Sequence, residues 1–166
     1  MSTASKREEL NGRIQAFSNE LRQGTKLPQR LVELVRLRIA FHNQCRPCMS
    51  IRYGAAVDEG LTEGLVCSLD KPAEAADLTE AEKTALVFAD RFATDHLSID
   101  AALIERLRGH LGNDGLAELG ALAASFVGFG RMGAVFDGGE AWPVGPRKAD
   151  GTRLAPWEVV EPLVLR

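Results

Sequence analysis

A chain of 166 residues, 45% of them apolar, is long enough to bury a core without disulfide or metal staples and is most simply one domain. A net charge of -3 and an isoelectric point near 5.7 argue against nucleic acid or an anionic membrane as the main partner. The opening MSTASKREELNGRIQ has no apolar leader pattern, no run approaches the roughly 20 apolar residues of a membrane span, and three cysteines make no disulfide framework, so a soluble, cytoplasmic protein is expected.

The chain reads as helix after helix. Leu10, Ile14, Phe17 and Leu21 recur at spacings of three and four, predicting an amphipathic N-terminal helix closed by Gly24 and Pro28. From Gln29 to His42 comes a helix apolar almost all round: Leu31, Val32, Leu34, Val35, Leu37, Ile39, Ala40 and Phe41. Such a helix is usually buried in a bundle, and its polar members Glu33, Arg36 and Arg38 call for a reason. Pro47 suits the first turn of the next helix, predicted to run to about Asp58 with Gly60 as its stop. A short helix over Thr62 to Leu69 and the loop DKPAEAAD follow. Thr79-Glu80-Ala81-Glu82 is a capping box for a helix to about Thr94. Ser98 or Asp100 starts another that ends near Gly112, and Asn113 or Asp114 caps a long apolar helix through about Val135.

No alternating strand and no solenoid repeat is visible. The expected fold class is all-α, a single-domain helical bundle of about six to seven helices. Residues 1–26 form the N-terminal helix, 27–136 the main helical domain, and 137–166 a Gly/Pro-rich tail or arm. Trp142 and Trp157 of that arm are expected to dock on the core or on a partner subunit. Gly120, Ala124 and Gly128 fall four apart on one helix face, where small side chains let helices approach closely within or between subunits.

Cys45-Arg46-Pro47-Cys48 is the centre of chemical interest. Two thiols separated by two residues can close a small disulfide ring, and a helix N-terminus after them favours the thiolate. Half of a zinc site and two inert buried thiols are the competing readings; zinc wants four ligands and no second pair is visible, so no metal and no cofactor are expected. His42, three residues before Cys45, is a candidate base, against the plainer role of complementing a helix C-terminus. Cys67 in LVCSL reads as a small core residue, and His96 and His110 as surface or capping residues. The run from Gly128 to Gly133 fits GxGxxG, but that fingerprint needs a strand before it, so here it reads as helix packing.

The stretch from Leu27 to Leu65 resembles the alkylhydroperoxidase D-like branch of the carboxymuconolactone decarboxylase family. The pattern is a glutamate, twelve residues to a cysteine, a CxxC, and a histidine four residues past the second cysteine. Glu33, Cys45 and Cys48 match it, with RLR at 36–38, Asn43 two before the first cysteine, and AAVDEGLT following. The closing segment LAELGALAASFVGFGRMGAVF is also similar, and the tail lies outside the resemblance. The resemblance implies an oligomer (dimer, trimer or hexamer) and thiol-dependent reduction of a peroxide or a disulfide, with Cys48 attacking, Cys45 resolving, and a thiol reductant as co-substrate. It also implies a Glu–His proton relay to the second cysteine.

Two positions depart from that pattern. Arg52 stands where the histidine belongs, and Pro47 stands where members often carry a polar residue. Arginine, with a pKa above about 12, cannot relay a proton, though it can stabilise a thiolate by charge. A straight helix would leave Glu33 about 18 Å from Cys45, so the chain is expected to reverse near Asn43. Arg52 would then lie between Glu33 and Cys48, ion-paired to Glu33 and within reach of the thiol. The alternatives are a structural salt bridge, or Glu33 pairing with Arg36 at i,i+3. Disulfide exchange is easier to support than peroxide turnover, and Arg52→His is expected to raise the latter. Two other classes stay open. One is a decarboxylase-like enzyme on a small lactone or acid, with Glu33, Arg52 and His42 lining its pocket; the other is a non-catalytic oligomeric module.

Overall fold

The computed structural model describes residues 3–137, 139–146 and 149–166. Its helices are α1 (Thr3–Gly24), α2 (Gln29–Asn43), α3 (Arg46–Ser50), α4 (Gly54–Asp58), α5 (Glu63–Cys67), α6 (Glu80–Thr94) and α7 (Ala101–Val135). Two three-residue strands, β1 (Ile51–Tyr53) and β2 (Leu163–Leu165), pair in parallel with Ile51 opposite Leu163. Among the described residues no helix is long and apolar enough to cross a membrane. The fold is all-α, as expected.

α2 is apolar all round because it is the central helix and each of its faces meets a different cluster. Leu31, Val32, Val35 and Ile39 pack with Phe88, Ala89, Leu107 and Leu119 of α6 and α7. Leu34 and Leu37 pack with Ala56, Leu65, Leu69 and Leu86. Ala40 meets Met49 of α3 and Val144, Leu154 and Val159 of the tail. Burying a residue of this size contributes roughly 1.5–3 kcal/mol, so one helix organises most of the core.

Local signals set the helix ends. Thr79 and Glu82 make the reciprocal capping box at the start of α6. Asp100 caps α7 by accepting from the Leu103 N–H at 2.8 Å. α7 breaks at Gly112, whose φ of 73° and ψ of 177° suit glycine, so the two expected helices meet at this kink.

Four expectations are corrected. The helix after Cys45 does not run on to Asp58: it stops at Ser50, and residues 51–53 extend to pair with β2 near the chain's far end. The N-terminal helix is only partly core-facing, with Leu21 against the α2–α6–α7 cluster but Leu10 and Phe17 53% and 49% exposed. In the small-residue stripe, Gly120 and Gly128 have no neighbour within 4 Å of a would-be Cβ, so the stripe is not internal packing. Cys67 is exposed, not a core residue.

The tail docks on its own chain. Trp157 lies on Phe41 at 4.8 Å between ring centroids, and Trp142 packs against the cluster of Ala40, Met49, Val144, Leu154 and Val159.

Candidate active site

The chain reverses at Gln44, which takes a left-handed conformation (φ 55°, ψ 38°) and caps α2 with its backbone N–H. A non-glycine residue there is strained, of order 1 kcal/mol. The side chain offsets this by bridging to the tail, with Nε2 donating to Phe41 O and Leu154 O and Oε1 accepting from the Leu154 N–H. The turn delivers Cys45 as the residue before α3, with Pro47 in that helix's first turn. Cys45 and Cys48 are joined by a disulfide. Cys45 is fully buried and Cys48 half-buried. α3 has five residues, too short for the long-helix dipole that the sequence suggested for the thiolate.

α7 lies close behind this turn because it offers glycine there. A Cβ at Gly133 would sit 3.2 Å from Cys45 Sγ, and one at Gly130 would overlap the Asn43 amide nitrogen. That amide donates to Phe126 O at 3.0 Å and ties the turn to α7. Gly130 and Gly133 of the GxGxxG run are packing, as read, whereas Gly128 has no neighbour within 4 Å of a would-be Cβ.

Glu33 and Arg36 form the support beneath the disulfide. Arg36 donates to Glu33 from Nε at 2.6 Å and from Nη2 at 2.7 Å, with both residues buried. The same guanidinium donates to Cys48 O at 2.7 Å and to Ile51 O at 2.9 Å, and the Tyr53 N–H donates to Glu33 at 3.1 Å. Burial works against the charge on Arg36, but Glu33 more than offsets it and holds the guanidinium's pKa above its ordinary value. The pairing of Glu33 is therefore the i,i+3 alternative, and the expected Glu33–Arg52 ion pair is absent.

Arg52 points elsewhere because β1 is extended. Alternation sends Ile51 and Tyr53 to the cavity side and Arg52 to the opposite one. There Arg52, 1% exposed, holds Glu63 at 2.9 and 3.0 Å and donates to Met49 O, Ile51 O and Pro156 O. Its donors close carbonyls at the end of α3 and in the tail.

His42 also turns from the disulfide. Its Nε2 meets Asp90 Oδ1 at 2.6 Å on α6, where Arg38 makes a two-point pair with the same carboxylate. Burial pushes the Asp90 pKa up, yet the hydrogen bonds from His42 and Arg38 hold it below the ordinary carboxylate value. Glu33, Arg52 and His42 thus sit in three separate clusters, and none of them lines the cavity beside the disulfide.

That cavity encloses about 330 Å³. Both cysteines, Pro47, Ile51 and Tyr53 line one side of it, α1 contributes Ile14, Ser18 and Arg22, and α7 contributes Phe129 and Met132. No histidine or carboxylate among the described residues lines it, and no cluster of three or more potential metal ligands occurs among them.

Sequence reasoning missed Arg22, the α7 wall and Arg46. Arg46, inside the CxxC itself, donates to Gly145 O, Glu140 O and Asp137 and so fastens the tail. The Val144 N–H adds a bond to Ser50 Oγ. An arginine between the two cysteines was the available signal for that contact; Arg22 carried none.

An all-α bundle that seats a CxxC disulfide at the turn after its central helix, against a partly apolar cavity, has an alkylhydroperoxidase D-like fold. A crystal structure of a protein of unknown function from Agrobacterium tumefaciens, described as a candidate antioxidant defence protein AhpD, superimposes with a TM-score of 0.69 at 20% identity, over 83% of this chain and 94% of that one. The model of the carboxymuconolactone decarboxylase family matches residues 8–91, and the chain belongs to that family. Two curated relatives are uncharacterized proteins of Mycobacterium tuberculosis strains CDC 1551 / Oshkosh and ATCC 25618 / H37Rv. Each is 35% identical over 89 residues, 52% of this chain and 31% of theirs. The match thus spans about a third of the relatives' length.

Proposed function

We propose that the protein is a thiol–disulfide oxidoreductase whose reactive sulfur is Cys48. The carrying observation is the asymmetry of the bonded pair: both cysteines border a substrate-sized cavity, but Cys48 is half-buried there while Cys45 is fully buried close to Gly133 of α7. In the reduced protein the Cys48 thiolate attacks a substrate disulfide, forming a mixed disulfide and releasing one substrate thiolate, which takes up a proton. Cys45 then attacks Cys48, closing the 45–48 disulfide and releasing the second thiol. The substrate gains two electrons, the protein dithiol loses two, and a thiol reductant restores the dithiol.

A disulfide fits this site better than a peroxide does. An alkoxide or hydroxide leaving group needs a proton from a nearby acid, whereas a thiolate leaves without one. Among the described residues, no histidine or carboxylate lines the cavity to supply it. The Glu33–Arg36 pair supports α3 through the Cys48 carbonyl and is a positioning device in this reading.

The test is trapping. In a Cys67→Ser background, which removes the exposed free thiol, reduced Cys45→Ser incubated with a small disulfide should accumulate a mixed disulfide at Cys48, seen by mass spectrometry, while Cys48→Ser accumulates none. Wild type should form the 45–48 disulfide faster with disulfides than with hydrogen peroxide at equal concentration. Absence of the mixed disulfide in Cys45→Ser would refute the assignment.

A further inference from the structure

Four arginines are buried among the described residues, and three of them have a carboxylate: Arg36 with Glu33, Arg46 with Asp137, Arg52 with Glu63. The fourth, Arg22, has none. It is 9% exposed, and its guanidinium makes one hydrogen bond, Nη2 to Asn19 Oδ1 at 2.8 Å. Its carbon centre lies 3.3 Å from the Tyr53 ring centroid, a cation–π contact that orients the group without neutralising it. Removing a cation from water without a counterion is costly, so such a group is normally paired.

The spare donors are not sealed in protein. The side-chain polar atoms buried without a partner among the described residues are His42 Nδ1 and Asn43 Oδ1, which leaves Nε and Nη1 of Arg22 open. Arg22 lines the same cavity as Cys48. The same cavity is lined by the apolar side chains Ile14, Ile51, Phe129 and Met132. A cation without a counterion, a reactive sulfur and apolar side chains on one cavity describe a ligand with an acid group on a short carbon chain.

We propose that this cavity selects disulfides bearing a carboxylate, with the carboxylate on Arg22 and a substrate sulfur at Cys48. The guanidinium fork matches a carboxylate in two-point geometry. The inference rests on the redox reading of the same cavity and adds its substrate class: a diacid disulfide and the protein dithiol give two mercaptoacids and the 45–48 disulfide. The preference runs against intrinsic reactivity, because a thiolate is repelled by an anionic disulfide.

The experiment compares 3,3′-dithiodipropionate with its diamide, each rate divided by that of the same compound with a free small thiol. Wild type should show a corrected kcat/KM at least tenfold higher for the diacid. R22Q should bring the ratio close to one, and R22K, which keeps the charge, should retain most of it. Octanedioate, which has methylenes in place of the sulfurs, should bind the oxidised wild type at least tenfold more tightly than R22Q in titration calorimetry. Equal or inverted wild-type selectivity overturns the proposal, as does octanedioate binding that is absent or indifferent to R22Q. Reduction of neither disulfide, with octanedioate still held through Arg22, would sink the redox reading and leave the carboxylate site standing. Should R22Q not fold, the wild-type ratio and R22K decide.

Discussion

Glu33→Gln isolates the charge of the buried pair while keeping side-chain shape. Glu33 is 1% exposed and accepts three hydrogen bonds, two from Arg36 and one from the Tyr53 N–H. The amide leaves Arg36 as an uncompensated cation beneath the disulfide, which costs about 3–5 kcal/mol. At about 2–4 °C per kcal/mol for a chain of this size, the melting temperature should fall by about 6–20 °C. Arg36→Met should cost at least as much, because it also strips the donors from Cys48 O and Ile51 O. The double variant removes both charges and should be less damaging than the sum of the singles by about 2 kcal/mol. Urea denaturation at pH 7 of wild type, both singles and the double, all with the 45–48 disulfide intact, gives the cycle. A loss below about 1 kcal/mol in Glu33→Gln, or strict additivity, would refute the account of the pair.

Arg52→His should lower stability by about 2–4 kcal/mol in the same assay, because histidine cannot serve the three carbonyls that Arg52 holds. Contrary to the sequence-based expectation, it should not raise peroxide turnover; a rise would put residue 52 at the cavity. Asp90, held below its ordinary pKa by His42 and Arg38, should give wild type an acid-sensitive advantage over Asp90→Asn. That advantage is full above the unfolded carboxylate value of about 3.9 and is lost as pH falls through the lower folded value, which urea titrations from pH 7 to pH 2 will read. Gly130→Ala and Gly128→Ala should move melting temperature in opposite directions. Alanine gains up to about 1 kcal/mol of helix propensity at both positions, but only at 130 does the new Cβ displace the Asn43 amide and cost about 1–3 kcal/mol.

What the sequence made legible was whatever short-range chemistry decides. The all-round apolar α2, the Thr79–Glu82 capping box, the Asp100 cap and the break at Gly112 depend on residues within a few positions, and all appear where their patterns put them. β1 was not legible, because IRY is extended by a partner strand at the other end of the chain rather than by its own pattern. That local change from a period of 3.6 to a period of 2 carried Arg52 to the opposite face and left Arg36 to meet Glu33 alone. The cysteine pair and the glycine packing at α7 were readable. Arg22 was not, since an arginine in the last turn of an amphipathic helix reads as a solvated charge that complements the helix end.

The arginine at the position where the resemblance expects a histidine has a structural account in the tail. Arg52 lies behind β1, and one of its donors closes Pro156 O of the tail, two residues inside the segment that follows Leu154. Arg46 and Ser50, on α3 itself, bind the tail at Gly145 and Val144, and Gln44 binds it at Leu154. Every turn of backbone around the disulfide thus hands a side chain to the 137–166 segment, and Arg52 is one of that set. A guanidinium can reach three carbonyls and Glu63 at once, whereas an imidazole offers at most two donors. The departure at residue 52 and the docked tail are therefore one feature. Residue 52 is committed to holding the CxxC turn in place from behind, and the proton chemistry expected of a histidine there has no route to the cavity in front.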